Sequence, residues 1–207
     1  MSSERKQILL AYGAELVLTP ADKGTIGAIE EARRLSEEKG YFFVGQHYNP
    51  ANPAAHQITA NEIYEDFGEK LDAIVCTTGT GGTISGLSTY LKDRIPDLMI
   101  IATEPEDSPI LSKGIACKHK IMGTAPGFIP DTLDQSAYDD IIPVSTEAAF
   151  QSARKLATDE GIFCGISCGA AVAGMLDYAS KESTRGAVLL AILPDTGERY
   201  LSTDLWA

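Results

Sequence analysis

Apolar positions in this chain recur with two periods, and the switches between them outline an alternation of helices and strands. Residues 5–12 read as a helix that Gly13 stops. Residues 14–19 read as a strand closed by Pro20. Across 25–39 the apolar residues fall at Ile26, Ile29, Ala32 and Leu35, near helical spacing, and Gly40 ends that helix. Residues 41–45 read as a second strand. Pro50 and Pro53 predict a loop over 49–53, because neither ring suits a helix interior. Thr59-Ala60-Asn61-Glu62 has the form of a capping box and predicts a helix from there to about Phe67. An apolar run at 71–76 predicts a buried strand, 84–94 a helix and 98–103 another strand. Residues 104–140 are polar and loop-rich. Ser145 or Thr146 then caps a helix with Phe150, Ala153, Leu156 and Ala157 on one face. A short extended piece at 162–164, a small-residue helix at 169–181 and an apolar strand at 187–193 complete the order. Strands without a polar face, separated by helices, predict an α/β protein with a parallel sheet covered on both sides.

Composition narrows the class. The chain has 207 residues, is 44% hydrophobic and carries a formal net charge of −12. That apolar content supports a real core, and the acidic surface repels nucleic-acid phosphates and anionic membranes. No run reaches membrane-spanning length and no leader-like apolar stretch opens the chain, so a cytoplasmic protein is expected. The four cysteines, Cys76, Cys117, Cys164 and Cys168, form no Cys-x-x-Cys pair. Reduced thiols are expected, and no metal site.

Three stretches carry chemistry. The first is Thr-Thr-Gly-Thr-Gly-Gly-Thr at 77–83, between a predicted strand and a predicted helix. Backbone N–H groups of such a turn, at the positive end of a helix, suit a phosphate. A dinucleotide fingerprint competes, with Glu104 where a ribose-binding acid would sit, but its third glycine position is Ile84. The second is Gly165-Ile166-Ser167-Cys168-Gly169, which matches a hydrolase nucleophile elbow. That reading needs a histidine after the serine, and His47, His56 and His119 all precede it. Ser167 is left to contact a ligand, to cap a helix, or both. The third is the polar segment 46–56, which contains Gln46, His47, Asn49, Asn52 and His56 and follows a predicted strand at the ligand-binding end of an α/β sheet. A plain surface loop is its simpler reading, with His56 as an anchor.

Taken together, these stretches resemble the pyridoxal-phosphate (PLP) enzymes of the cysteine synthase and cystathionine β-synthase family. The resemblance includes Gly-Ala-Glu-Leu-Val-Leu-Thr at 13–19, Asn-Pro-Ala-Asn-Pro-x-x-His at 49–56 and Gly-Thr-Gly-Gly-Thr at 79–83. It continues through Gly-Phe-Ile-Pro at 127–130, Gly-Ile-Ser-x-Gly-Ala-Ala at 165–171 and Gly-Glu-Arg-Tyr-Leu-Ser-Thr at 197–203. It implies a fold type II PLP enzyme, tryptophan synthase β-like, lacking much of its N-terminal domain. Residues 1–48 would be the remnant of that substrate domain and 49–207 the domain that binds the PLP phosphate. Gly79, Thr80, Gly81, Gly82 and Thr83 would cradle the phosphate, and Ser167 would hydrogen-bond the pyridine nitrogen. Gln46 would bind the substrate carboxylate, and Gly123 would lie near the entrance.

The family reaction is β-replacement, O-acetylserine and sulfide giving cysteine and acetate. None of the ten lysines matches the cofactor-bearing lysine of the family. The resemblance puts that lysine, and the loop that grips the substrate carboxylate with Gln46, upstream of Met1. It also implies a homo-oligomer, and as partners an amino-acid substrate, serine acetyltransferase or a complementary N-terminal fragment. Exposed sheet edges and apolar surface are expected where the remaining domain is incomplete. Two departures stand out: Gly123-Thr124-Ala125-Pro126-Gly127 where Gly-Ile-Gly-Ala-Gly is commoner, and Cys168 where serine or alanine is usual. The first bears on closure and substrate preference. Two other readings stay open: a non-catalytic relative that binds PLP or an acetyltransferase tail, and a nicotinamide-dependent oxidoreductase.

Overall fold

Alternate residues of β1 (Ala73–Thr77) face opposite sides of the sheet, and each side has its own core. Ala73 and Val75 join one buried cluster, while Ile74 and Cys76 join the other. Neighbouring β2 (Met99–Pro105) alternates in the same way, with Ile101 on the first side and Ile100 and Ala102 on the second. Burial on both faces makes the strand sequence continuously apolar, as expected for a parallel sheet. In this computed structural model, which describes residues 1–207, the sheet has four strands in the order β3-β2-β1-β4, all parallel. Edge strand β3 is Asp140–Val144, and edge strand β4 is Leu189–Ala191. The crossover helix α4 (Gly82–Leu91) packs with α3 (Ala51–Phe67) on the Ile74 side. On the Val75 side α6 (Thr146–Glu160) packs with α7 (Ile166–Ala179). Glycines make that packing close. A Cβ on Gly169 would lie 2.0 Å from the Ala149 carbonyl of α6, and one on Gly174 would lie 2.4 Å from the Thr103 methyl of β2.

The expected helix with an N-terminal serine cap is present: Ser145 Oγ accepts from the Ala148 N–H at 3.1 Å and opens α6. Three expectations are corrected. Residues 49–53 are not a loop. Pro50 is the N-cap of α3 and Pro53 lies in its first turn, where a backbone N–H has no intrahelical acceptor and its loss costs nothing. Thr59 to Glu62 therefore lie inside α3 rather than at its start, and the Thr59 hydroxyl meets His56 Nδ1 at 3.3 Å. The segments 14–19 and 41–45 join no sheet. Strand β3 begins at the last residue of the stretch expected to be loop-rich and was not among the expected strands. It carries Pro143, which an edge strand tolerates.

Ahead of α3, the chain supplies α1 (Ser3–Ala11) and α2 (Gly24–Lys39). Helix α1 docks on the C-terminal turn: Ser2 Oγ donates to the Arg199 carbonyl, and Ser202 bonds Glu4 through both its N–H and its hydroxyl. Arg5 reaches Asp195 at 2.8 Å and the Tyr200 hydroxyl at 2.9 Å. Apolar side chains remain open to solvent along 12–18 and 41–44, with Tyr12 and Phe42 each 85% exposed. The exposed apolar surface expected from the sequence is thus present along these two segments. No helix is long and apolar enough to cross a membrane.

Candidate functional site

The strand order predicts where a ligand sits. Connections run from β1 outward to β2 and β3, then return to β4 on the other side of β1. The crevice at the carboxyl ends of β1 and β4 is therefore the topological switch point, the usual ligand position in such sheets. The glycine loop leaves β1 at this edge, and residues 192–196 leave β4 beside it. Helix α7 returns to β4, whose first residue Leu189 pairs with Ala73 at the opposite edge. The N-terminus of α7, with Ser167 in its first turn, thus points to the crevice edge.

The glycine loop presents a row of unpartnered donors. Neither backbone nor side-chain acceptors within the chain engage the N–H groups of Gly79, Thr80, Gly81, Thr83 or Ile84. Gly82 N–H alone finds one, Thr80 Oγ1 at 3.3 Å. Gly81 is buried and left-handed (φ 79), and its helix has no side-chain cap. Unmet donors at a part-buried helix start call for an acceptor from outside the chain. The loop's outer side is packed. A Cβ on Gly79 would lie 2.3 Å from the Gly123 carbonyl, and one on Gly82 would lie 2.0 Å from Asn52 Oδ1.

Neighbouring side chains hold this loop in place. Asn52 Nδ2 donates to both the Gln46 carbonyl at 2.8 Å and Thr80 Oγ1 at 2.9 Å. Thr132 Oγ1 donates to the Thr80 carbonyl at 2.7 Å. His56 Nε2 meets Thr83 Oγ1 at 3.1 Å, and burial lowers the His56 pKa, which keeps the imidazole neutral near pH 7. The Ala125 N–H donates to the Thr78 carbonyl at 2.9 Å. Gln46, Gly79–Thr83 and Gly123 are thereby brought together, with Gln46 exposed at the rim. His56 is the anchor its simpler reading expected. Asn52 entered the sequence reading only as part of the polar segment 46–56, with no role of its own, and Thr132 not at all. The i, i+4 spacing of Asn52 and His56 on one helix face was the signal for Asn52; nothing in the sequence marked Thr132.

Ser167 is 6% exposed and is not the cap of α7: Gly165 is, with no side-chain hydrogen bond. Gly165 is required by crowding, since a Cβ there would lie 2.0 Å from Asp195 Oδ1 and 2.5 Å from the Tyr200 ring. No histidine reaches Ser167. His47 sits against Phe128, His56 against Thr83, and His119 against the Ala125 carbonyl. The hydrolase reading has no base. Glu104 is buried and spent on a short turn, α5 (Ile110–Lys113), where it accepts from the Leu111 and Ser112 N–H groups and the Ser112 hydroxyl. It is not a free ribose ligand, which removes the support for the nicotinamide reading.

Ala125 is the one non-glycine residue with positive φ, 40°. It stands where the family more often has glycine. Left-handed backbone costs a non-glycine residue about 1–2 kcal/mol, part of it offset by the stiffer unfolded chain. Ala125→Gly is expected to raise stability by about 0.5–1 kcal/mol in urea unfolding; an unchanged or lower midpoint would mean the strain is absent.

The family described as pyridoxal-phosphate dependent enzyme matches residues 1–195. A cysteine synthase of Staphylococcus aureus strain Mu50 is 47% identical over 209 residues, covering 100% of this chain and 67% of the relative. Among solved structures, O-ureido-L-serine synthase superposes with a TM-score of 0.95 at 44% identity, covering 99% of this chain and 65% of that one. Cysteine synthase from Entamoeba histolytica gives a TM-score of 0.93 at 44% identity, covering 100% and 62%. The chain thus spans about two thirds of the length of the relatives it matches.

Proposed function

The chain belongs to the pyridoxal-phosphate-dependent enzymes, with the fold of their type II members, and from that membership we propose that it is the phosphate- and ring-binding part of a cysteine-synthase-like β-replacement enzyme. The observation that carries this reading is the row of unpartnered N–H groups at Gly79, Thr80, Gly81, Thr83 and Ile84. These donors, with the dipole of α4 behind them, fit a phosphate dianion. The dipole contributes up to about 2 kcal/mol and each hydrogen bond to a charged group about 1.5–3 kcal/mol. When bound, PLP supplies an electron sink for β-elimination and replacement on an amino acid.

The chain's own residues bind and orient. Asn52, Thr132 and His56 fix the hydroxyls and carbonyl of the loop before the ligand arrives, so little ordering is left to do on binding. Ser167 offers the pyridine nitrogen a hydroxyl rather than a carboxylate, which does not force that nitrogen to remain protonated. Gln46, tethered through its carbonyl to Asn52, holds the substrate carboxylate at the rim, and Gly123 lines the entrance. Residues 1–48 act as part of a substrate domain and 49–207 as the phosphate-binding domain. No lysine here corresponds to the cofactor-bearing one, so this chain holds PLP non-covalently and turns over only when a lysine-bearing segment is supplied.

A titration of the chain with PLP, followed by absorbance and by competition with inorganic phosphate, tests this. Saturable binding of one PLP, displaced by phosphate and not fixed by borohydride, is expected. Binding that phosphate leaves untouched would remove the loop from the account. Stoichiometric borohydride fixation at a single lysine would overturn the non-covalent reading alone.

A further inference from the structure

The hydroxyl protons of the glycine loop can be followed one by one, because each threonine has few partners. Asn52 Nδ2 lies 2.8 Å from the Gln46 carbonyl, which only accepts, so the amide nitrogen and not its oxygen must face that side. The same nitrogen donates to Thr80 Oγ1 at 2.9 Å, and the Gly82 N–H donates to that oxygen at 3.3 Å. Thr80 thus accepts twice, and its own proton meets no acceptor in the chain. Thr78 differs, since its hydroxyl is buried and donates to the Thr103 carbonyl. Thr83 Oγ1 has one partner, His56 Nε2 at 3.1 Å, and His56 Nδ1 has one, Thr59 Oγ1 at 3.3 Å. A neutral imidazole has one N–H and one lone pair, so the row Thr59–His56–Thr83 has two polarities. With the proton on Nε2, Thr59 donates to His56, His56 donates to Thr83, and the Thr83 proton is free. With the proton on Nδ1, Thr83 must donate to His56 and has only lone pairs left.

We propose that His56 is a positioning residue that carries its proton on Nε2 when ligand is bound, and that His56 and Asn52 turn the Thr83 and Thr80 hydroxyl protons onto a phosphate monoester in its dianionic form. This rests on the loop's holding a phosphate, and adds which proton goes where. A dianionic phosphate has strong acceptor oxygens and no proton to give. It is matched by hydroxyls that arrive as donors beside the N–H groups of Gly79, Thr80, Gly81, Thr83 and Ile84. Only the first polarity supplies a donor at Thr83; the second sets an oxygen lone pair against a phosphate oxygen. Asn52 and His56 sit one turn apart on α3, held against the start of α4. Gly86 permits that approach, since a Cβ there would lie 2.7 Å from His56 Cβ and 2.3 Å from the Pro53 carbonyl. Without a donor at position 56, the Thr83 hydroxyl is free to turn back to the carbonyl of its own helix four residues earlier, a bond that threonine readily makes, and its proton is lost to the ligand.

The test uses the full chain labelled with nitrogen-15, near neutral pH, and methyl phosphate as the probe. Proton–nitrogen spectra of the imidazoles show which ring nitrogen holds the proton, with His56 assigned through its own side-chain couplings. Saturating methyl phosphate is expected to move the amide signals of residues 79–84 and to leave His56 protonated on Nε2 and bare on Nδ1. His56→Gln keeps an amide donor for Thr83 and is expected to bind methyl phosphate about as well as the parent. His56→Leu is expected to bind about tenfold more weakly, the loss of one hydrogen bond to a charged group. Loop signals that move while His56 is protonated on Nδ1, or on both nitrogens, would overturn the proposal and leave the phosphate site standing. Equal weakening in the two variants would mean that the ring only packs, and would overturn it as well. Loop signals that methyl phosphate leaves unmoved would overturn the phosphate site and this proposal together. The parent spectrum decides even where a variant does not fold.

Discussion

Gly81→Ala is expected to weaken PLP binding at least tenfold and to lower the melting temperature by about 6–12 °C, corresponding to about 3 kcal/mol in a chain of this size. Two costs combine at this residue. Its φ of 79° lies in the left-handed region, which costs alanine about 1–2 kcal/mol. Its Cβ would also lie 2.4 Å from Leu133 Cβ and 2.8 Å from Leu133 Cα. The second of those atoms is backbone and cannot rotate away. Overpacking of this kind costs about 1–3 kcal/mol, and the stiffer unfolded chain returns about 0.4–1 kcal/mol. The loop relieves the clash by moving, and that spreads the N–H groups that must converge on one phosphate. Gly161→Ala separates strain from binding. Gly161 is equally left-handed, φ 70°, at the C-terminus of α6, with nothing within 4 Å of the added carbon. It should lose about 1 kcal/mol of stability and leave PLP affinity unchanged. If Gly81→Ala binds PLP like the parent chain, the loop is not the phosphate site.

Elements whose signals are local were legible in the sequence. The strand, glycine turn and helix around 71–94 follow from an apolar run, a cluster of glycines and helical spacing. The start of α6 follows from the Ser145-Thr146 pair, of which the structure uses Ser145 as the cap. The parallel sheet follows from strands with no polar face. Pairing is a different matter, because a ladder needs a partner that can lie anywhere in the chain. Residues 14–19 and 41–45 have strand-like composition and no partner here, so their propensity is not realised. Strand β3 has the reverse problem. Asp140 and Pro143 disguise it, and its existence depends on the β2 edge that it joins. The start of α3 was obscured by treating both prolines as breakers, whereas the first helical turn accepts them. That error hid part of the site. Once Pro53 belongs to a helix, Asn52 and His56 fall on one face, aimed at the glycine loop that they hold. Thr132 lies 52 residues from its partner Thr80, and no local pattern encodes such a contact.

Asp195→Ala is expected to cost about 2–3 kcal/mol, seen as a drop in melting temperature of about 4–12 °C and as faster amide exchange in α1. The Asp195 side chain is 8% exposed and accepts from Arg5 at 2.8 Å and from the Tyr200 hydroxyl. It joins three separate parts of the chain: helix α1 through Arg5, the C-terminal turn through Tyr200, and the Ser167 turn through Cys168 and its contact with Gly165. Removing one member of a buried ion pair costs about 3–5 kcal/mol when the other charge stays buried. Arg5 is 37% exposed and keeps its bond to the Tyr200 hydroxyl, so water and the phenol soften the loss. Arg5→Ala should therefore cost less than Asp195→Ala, and the double variant little more than Asp195→Ala alone. The expected coupling is about 1–2 kcal/mol, within the range for residues in one network. Losses that simply add would mean that Asp195 and Arg5 act separately. In that case Arg5 would tie α1 to the C-terminal turn through Tyr200, beside the Ser2, Glu4 and Ser202 contacts, and would not couple it through Asp195 to the turn that presents Ser167.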